Sequence, residues 1–344
     1  MRKKISPEIP VFVAIIAFVA ILSAFVNVTE NSNGVVLSNL GKAPELAGIS
    51  GWINTEPFTL AQMRGKVVLV DFWTYSCINC IRTLPYLKAW HEKYAGKGLV
   101  IVGVHTPEFE FEKDYSNVVN AVNKYGIHYR VVQDNDYATW RAYKNQYWPR
   151  KYLVDTNGDI RYDHIGEGGY EETENVIQQL LKEAGADVKG NMTTDKSDVG
   201  FTRIGTPEIY LGYAFARQPL GNSEGFRPGE IVDYKPAVAG IKNIVYLSGR
   251  WQNNADHMKS AGQAALTLIY EARDVNIVAG GTGKVAILLD NKPVGVDAGK
   301  DAVNGTVEIN EARLYNIVSA GGYGIHKVDI IAEDGVEVYT FTFG

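Results

Sequence analysis

Two cysteines, Cys77 and Cys80, stand three positions apart, and the chain holds no others. Thiols at that spacing lie within reach of each other across one helical turn. The pair can therefore cycle between dithiol and disulfide and carry two electrons without a cofactor. A disulfide-stapled scaffold is excluded, because such folds need several bridges closing long loops. A structural zinc corner would need two more Cys or His ligands at suitable spacing. His91 and His105 are the only early candidates and form no second close pair, so no metal is expected. The value of these sulfurs is chemical, through exchange with other thiols or disulfides.

Such chemistry needs elements that hold the sulfurs in place. Residues 66–73 (KVVLVDFW) form a short β-branched run behind Gly65 and predict a buried strand. Residues 77–94 predict a helix, because Ile81, Leu84, Leu87, Trp90 and Tyr94 recur every three or four positions on one face. Cys77 opens that helix, beside unpaired backbone N–H groups and the positive end of the macrodipole, surroundings that favour a thiolate. Cys80, one turn later, can attack a mixed disulfide formed at Cys77. Beyond them the pattern predicts a strand over 98–105, a helix over 112–125, a strand over 129–133 and a helix over 137–143. A hairpin across Thr156-Asn157-Gly158 follows, then a helix over 170–183 stopped by Gly185. Strands alternating with helices imply an α/β layer with a partly parallel sheet, closed by the hairpin.

With 344 residues, two domains are expected. Hydrophobic residues at 46% and charged residues at 21% exclude a wholly disordered, collagen-like or multi-span chain. A net charge of -5 argues against a nucleic-acid partner. Residues 187–200 lack any apolar period and read as a linker, separating an α/β domain over 43–186 from a second over 201–344. The second carries many short β-branched and aromatic runs between turn signals, which predicts an all-β sandwich. Its GGTGK string, residues 280–284, is no phosphate loop: Val278 and Val285 stand where the pattern needs Gly and Ser or Thr.

At the amino terminus, Arg2, Lys3 and Lys4 precede an uncharged apolar stretch over residues 11–28. At about 1.5 Å per residue, that stretch spans roughly 27 Å, the thickness of a hydrocarbon core. It predicts a single transmembrane helix, with a cytoplasmic basic tail over 1–10, a tether over 29–42 and the remainder extracytoplasmic. The alternative is a cleaved signal peptide and a secreted protein, which exports the same domains.

Three further positions resemble a thioredoxin. Asp71 lies six residues before Cys77, where that family keeps a buried carboxylate that relays a proton for the resolving cysteine. Pro85 lies eight residues after Cys77, where the family kinks the active-site helix. Pro149, just before the strand KYLVD, resembles the cis-proline whose neighbouring backbone pairs with substrate. The approach LAQMRGKVVLVDFW is similar to the membrane-tethered TlpA/ResA branch. The strings DFWTYSCINC, GVHTPEFEFEKD, DYATWRAY and YWPRKYLVD resemble the extracytoplasmic region of DipZ-type thiol:disulfide proteins, and GRWQNNAD, DVNIVAGGTGKVAI and TFTFG continue that resemblance through the second domain. The resemblance implies a thioredoxin-like domain followed by a carbohydrate-binding-module-like sandwich. The chain departs from the family in lacking its multi-span, CcdA-like membrane domain.

The expected activity is thiol:disulfide exchange with protein thiols and disulfides through a redox-active Cys77–Cys80 disulfide, with Asp71 and Pro149 assisting and a separate CcdA-like membrane protein supplying electrons. Trp73, Tyr75 and Trp148 are candidates for the substrate groove, and Trp251 and Tyr323 for stacking on a cell-surface glycan. Glu108 and Glu110 read as solvated loop acids. One alternative is a glycan- or protein-binding anchor whose thioredoxin-like domain only docks. Another is a thiol peroxidase, since residues 74–77 read T-x-x-C with Arg150 downstream; Val70, seven positions before Cys77, stands where peroxiredoxins have proline. The direction of exchange is open, because neither Ile78 nor Asn79 adds a charge between the sulfurs.

Overall fold

The computed structural model describes residues 37–188, 192–193 and 205–344. The expected span at 11–28 and most of the expected linker lie outside these residues. Among the described residues no helix is long and apolar enough to cross a membrane.

The α/β lobe is built on six strands: β1 (Gly51–Ile53), β2 (Val67–Trp73), β3 (Leu99–His105), β4 (Arg130–Gln133), β5 (Arg150–Val154) and β6 (Ile160–Ile165). Their order is β1-β4-β3-β2-β5-β6. Strands β2, β3 and β4 run parallel, and the β5–β6 hairpin and β1 complete the sheet antiparallel. Every residue of β2 is buried, as a central strand of mainly apolar residues covered on both faces must be. Helices α1 (Ile78–Tyr94), α2 (Tyr115–Lys124), α3 (Ala138–Ala142) and α4 (Tyr170–Glu183) complete the lobe. Leu84, Leu87, Trp90 and Tyr94 of α1 are buried as the helical period requires. Pro85 sits inside α1, where its ring nitrogen can donate no hydrogen bond to the preceding turn.

The helix expected over 112–125 is split. A 3-10 turn, Glu110–Lys113, ends at Asp114, whose carboxylate accepts from the backbone N–H groups of Ser116 and Asn117 and starts α2 afresh. An Asp that caps two amides favours a new helix start over passage through the segment.

The C-terminal region is a large antiparallel sheet of nine strands: β7 (Ile209–Tyr210), β8 (Ile231–Tyr234), β9 (Val245–Asn253), β10 (Met258–Gly281), β11 (Gly283–Leu289), β12 (Lys292–Pro293), β13 (Thr306–Ile309), β14 (Arg313–Ala332) and β15 (Val336–Phe343). The sequence pattern suggests many short strands, whereas β10 and β14 are single strands of 24 and 20 residues. Register shifts at Ala272/Asp274 and Val275/Asn276 let the two bend together without breaking their ladder, which the sequence displays as interruptions. The GGTGK string is the β10–β11 turn. Gly281 has φ 73°, and a Cβ there would stand 2.2 Å from the Gly335 carbonyl oxygen. One core serves this lobe, and its Leu266, Ile277, Val285, Ile330 and Phe341 are all fully buried. Each such side chain contributes about 1.5–3 kcal/mol relative to exposure.

Candidate active site

Strand β2 delivers the chain to Thr74, and four residues later α1 begins. Cys77 is the N-cap of α1, extended at φ −76° and ψ 118°, and its Sγ accepts the Cys80 backbone N–H at 3.3 Å. The sulfur thus occupies the position where a capping oxygen satisfies an orphan helix donor. Both thiols are free. Cys77 keeps 8% of its surface exposed and Cys80 only 1%. Burial pushes the Cys80 thiol well above its usual range, and its hydrogen bond to Cys77 and the charges at Cys77 and Asp71 push the same way. Cys80 therefore holds its proton at neutral pH, and Cys77 is the more exposed of the two sulfurs.

Beneath the sulfurs lies Asp71, 1% exposed, at the register position opposite Lys151 of β5. Burial pushes its carboxyl up to about 7, and the Lys151 ammonium opposes that rise. Lys151 is itself buried, which pushes its ammonium below the usual range against the pull of Asp71 and Cys80. Its Nζ donates to the Gly166 carbonyl at 3.1 Å. A carboxyl near neutrality can both take and return a proton, the requirement for handing protons to and from a buried thiol. The Trp148–Pro149 bond is cis, and the Gly166 N–H donates to the Pro149 carbonyl at 2.8 Å. Gly166 is thus tied both to Pro149 and to Lys151.

The residues leading into Cys77 are held from behind. Ser76 Oγ donates to Glu112 Oε1 at 2.5 Å, while Glu112 Oε2 accepts the backbone N–H groups of Glu108 and Phe109. Glu112 is fully buried; burial raises its carboxyl, and these hydrogen bonds oppose the rise. His105, also buried, is driven down to about 3 by desolvation and stays neutral; its Nε2 lies 3.3 Å from Thr74 Oγ1.

The aromatic candidates divide. Trp73 is fully buried, edge-on to His105, and belongs to the core rather than to a groove. Tyr75 is 3% exposed, stacks on His105 at 5.6 Å and donates from its hydroxyl to the Ala312 carbonyl of the β lobe. Trp148 is half-buried beside Pro149, with its indole N–H on the Thr106 carbonyl and its ring 4.2 Å from that of Trp140. In the β lobe Trp251 is buried, its indole N–H donating to the Ser248 carbonyl, so it presents no face to a sugar; Tyr323 is 40% exposed. Glu108 is not a solvated acid. It is half-buried, accepts the Tyr210 hydroxyl at 2.5 Å, and is raised to about 8 by burial and by neighbouring Glu208 and Glu112. Glu110 is exposed and pairs with Lys113. Arg150 is engaged by Asp163 at 2.5 Å and lies over the Tyr152 ring.

Lys151 and Glu112 are the residues that sequence reasoning missed. Lys151 leaves one trace, a charge inside the buried run KYLV. Glu112 leaves none, because only the folded loop carries it to Ser76.

Residues 42–181 match the Redoxin family and residues 206–344 match the family described as "Thioredoxin like C-terminal domain". The chain is 38% identical over 315 residues to Protein DipZ of Mycobacterium bovis, covering 90% of this chain and 44% of that protein. It thus spans less than half the length of that relative. It is 31% identical over 141 residues to the thiol-disulfide oxidoreductase YkuV of Bacillus subtilis, covering 41% of this chain and 94% of YkuV. Among solved structures, a putative thiol:disulfide interchange protein DsbE from Chlorobium tepidum matches at 26% identity and a TM-score of 0.38, over 42% of this chain and 99% of that one.

Proposed function

The chain belongs to the thioredoxin-like thiol-disulfide oxidoreductases, and from that premise we propose that it exchanges disulfides with protein substrates through Cys77 and Cys80. The observation that carries this reading is the asymmetry of the two sulfurs: Cys77 caps α1 and keeps a small exposed edge, while Cys80 lies fully buried and protonated within the influence of Asp71. In the reductive direction the Cys77 thiolate attacks one sulfur of a substrate disulfide. The substrate S–S bond breaks, a Cys77–substrate disulfide forms, and the first substrate sulfur leaves as thiolate and takes a proton. Cys80 then gives its proton to Asp71 and attacks Cys77 Sγ. The Cys77–Cys80 disulfide forms and the second substrate sulfur leaves, protonated from Asp71. Two electrons pass from the enzyme dithiol to the substrate. The same steps reversed oxidise a dithiol.

Pro149 closes the substrate side of the site, and Glu112 holds Ser76 so that Cys77 meets the incoming bond. In this reading residues 11–28 anchor the chain, 29–42 tether it, and the lobes over 43–186 and 201–344 lie outside the membrane. These two lobes carry no third cysteine to recycle the pair, and a CcdA-like membrane donor is the fitting class. A Cys80→Ser variant tests the chemistry: it should accumulate mixed disulfides through Cys77 in cells, separable on non-reducing gels and lost on adding dithiothreitol. Recovery of none would count decisively against exchange.

A further inference from the structure

The outer face of α1 around the two cysteines is not open. Ile78, between the sulfurs, and Ile81, just after them, pack with Phe109 and Phe111 against Val278, Leu314 and Tyr339 of the β lobe. The Tyr339 ring lies 5.1 Å from that of Phe109 and 4.8 Å from that of Phe111. Tyr75, two residues before Cys77, is tied by its hydroxyl to Ala312, and Glu108 is tied to Tyr210. At the margin, Lys124 of α2 pairs with Glu311 at 3.2 Å. Cys77 itself keeps 8% of its surface exposed.

We propose that the β lobe forms one wall of the exchange cleft and acts as a steric filter. It admits to Cys77 a disulfide carried on a flexible, extended peptide segment and excludes one held on the rigid surface of a folded protein. This rests on the exchange chemistry of Cys77 proposed above. A folded partner needs free surface for a specific encounter, up to about 600 Å² on each side even for a transient redox contact. Around Cys77 the apolar face that would supply much of that area is already buried against the β lobe. An extended segment needs far less area, because its own main-chain groups can supply much of the pairing. The redox balance is unchanged: two electrons leave the Cys77–Cys80 dithiol, the target S–S bond is reduced, and the enzyme disulfide forms.

The test uses the full-length chain in detergent, reduced and freed of reductant, under single turnover. Three disulfides are compared: oxidised glutathione, a carrier protein bearing glutathione disulfide-linked to a cysteine in a disordered terminal tag, and the same carrier bearing it on a rigid surface helix. The tag should react faster than the helix site by about tenfold or more, the scale on which orientational restriction lowers encounter rates. Tyr339→Ala, which loosens the wall without touching the sulfurs, should raise the helix-site rate severalfold relative to the tag and glutathione rates. If near-ultraviolet circular dichroism shows that Tyr339→Ala disrupts the β lobe, Glu311→Lys, which sets like charges against exposed Lys124, replaces it. Equal rates on tag and helix in the wild-type chain would overturn the filter while leaving exchange intact. A variant that opens the lobes, seen by small-angle scattering, yet leaves the tag-to-helix ratio unaltered would overturn it as well. Absence of reaction with all three disulfides would instead overturn the exchange chemistry, and the filter with it.

Discussion

The two lobes bury different things. In the α/β lobe Asp71, His105, Glu112, Asp134, Lys151 and Glu174 are all buried, several of them beneath the cysteines. In the β lobe the buried polar residues are mostly Asn, Thr and Ser, and the one buried charged residue among the described residues, Asp274, pairs with Arg273. Burying an ionisable group costs several kcal/mol unless it is paired or neutralised. The α/β lobe bears that cost around its cysteines, and the β lobe puts its burial into hydrophobic stability and into covering α1. Conformational stability should accordingly depend on pH chiefly through the first lobe and on packing chiefly through the second.

The largest expected effect is on that pH dependence. Asp71 is raised from 3.8 to about 7 in the folded chain, so between those values the native state holds a proton that the unfolded state has lost. The stability this contributes is fully present below about pH 4 and is lost as pH rises through 7, a fall of roughly 4 kcal/mol across the window. Asp71→Asn should flatten the fall, measured by urea denaturation from pH 4 to 8. Glu108, raised to about 8 with the same sign, keeps part of the slope in the variant. An unaltered slope would break the contrast between the lobes.

Next in size, Ile330→Ala in the β-lobe core should cost about 2–5 kcal/mol, by about the same amount at pH 5 and pH 8, and should leave the pH profile of exchange in place. A profile that moved would mean the β-lobe core also tunes the cysteines. The smallest shift sharpens the comparison within the site. Lys151→Met removes the charge that restrains Asp71, so the carboxyl should titrate about 1–3 units higher. The pH limb for decay of the Cys77 mixed disulfide should move upward with it, a change that a merely structural lysine would not produce.

Much of the site can be read from the chain because its geometry is local. Cys77, Ile78 and Cys80 lie within four positions of one helix start, and Asp71 sits six residues before Cys77 on the strand that feeds it. Pro149 is distant, and only the resemblance of its segment to thioredoxins marks it. Lys151 and Glu112 escape notice because their importance comes from partners, Asp71 and Ser76, 80 and 36 positions away, that sheet register and loop closure bring together. Trp73, Tyr75 and Trp251 are aromatic residues of similar composition and context in the sequence, yet all three are buried, while Trp148 is half-buried at the site. Residue type does not specify which face of an element will be covered.

Local spacing determined the chemistry of this protein, since a C-x-x-C at a strand-to-helix junction needs only the backbone around it to become a capped, asymmetric thiol pair. It also determined two regions of different texture, because strand and helix periods are written in neighbouring residues. The tertiary structure alone decided where the Asp71 proton is restrained, how Ser76 is held, and that the β lobe lies across Ile78 and Ile81. Each of these depends on contacts between segments far apart in sequence, formed only when sheet register and inter-lobe packing bring them together, and no local pattern encodes them.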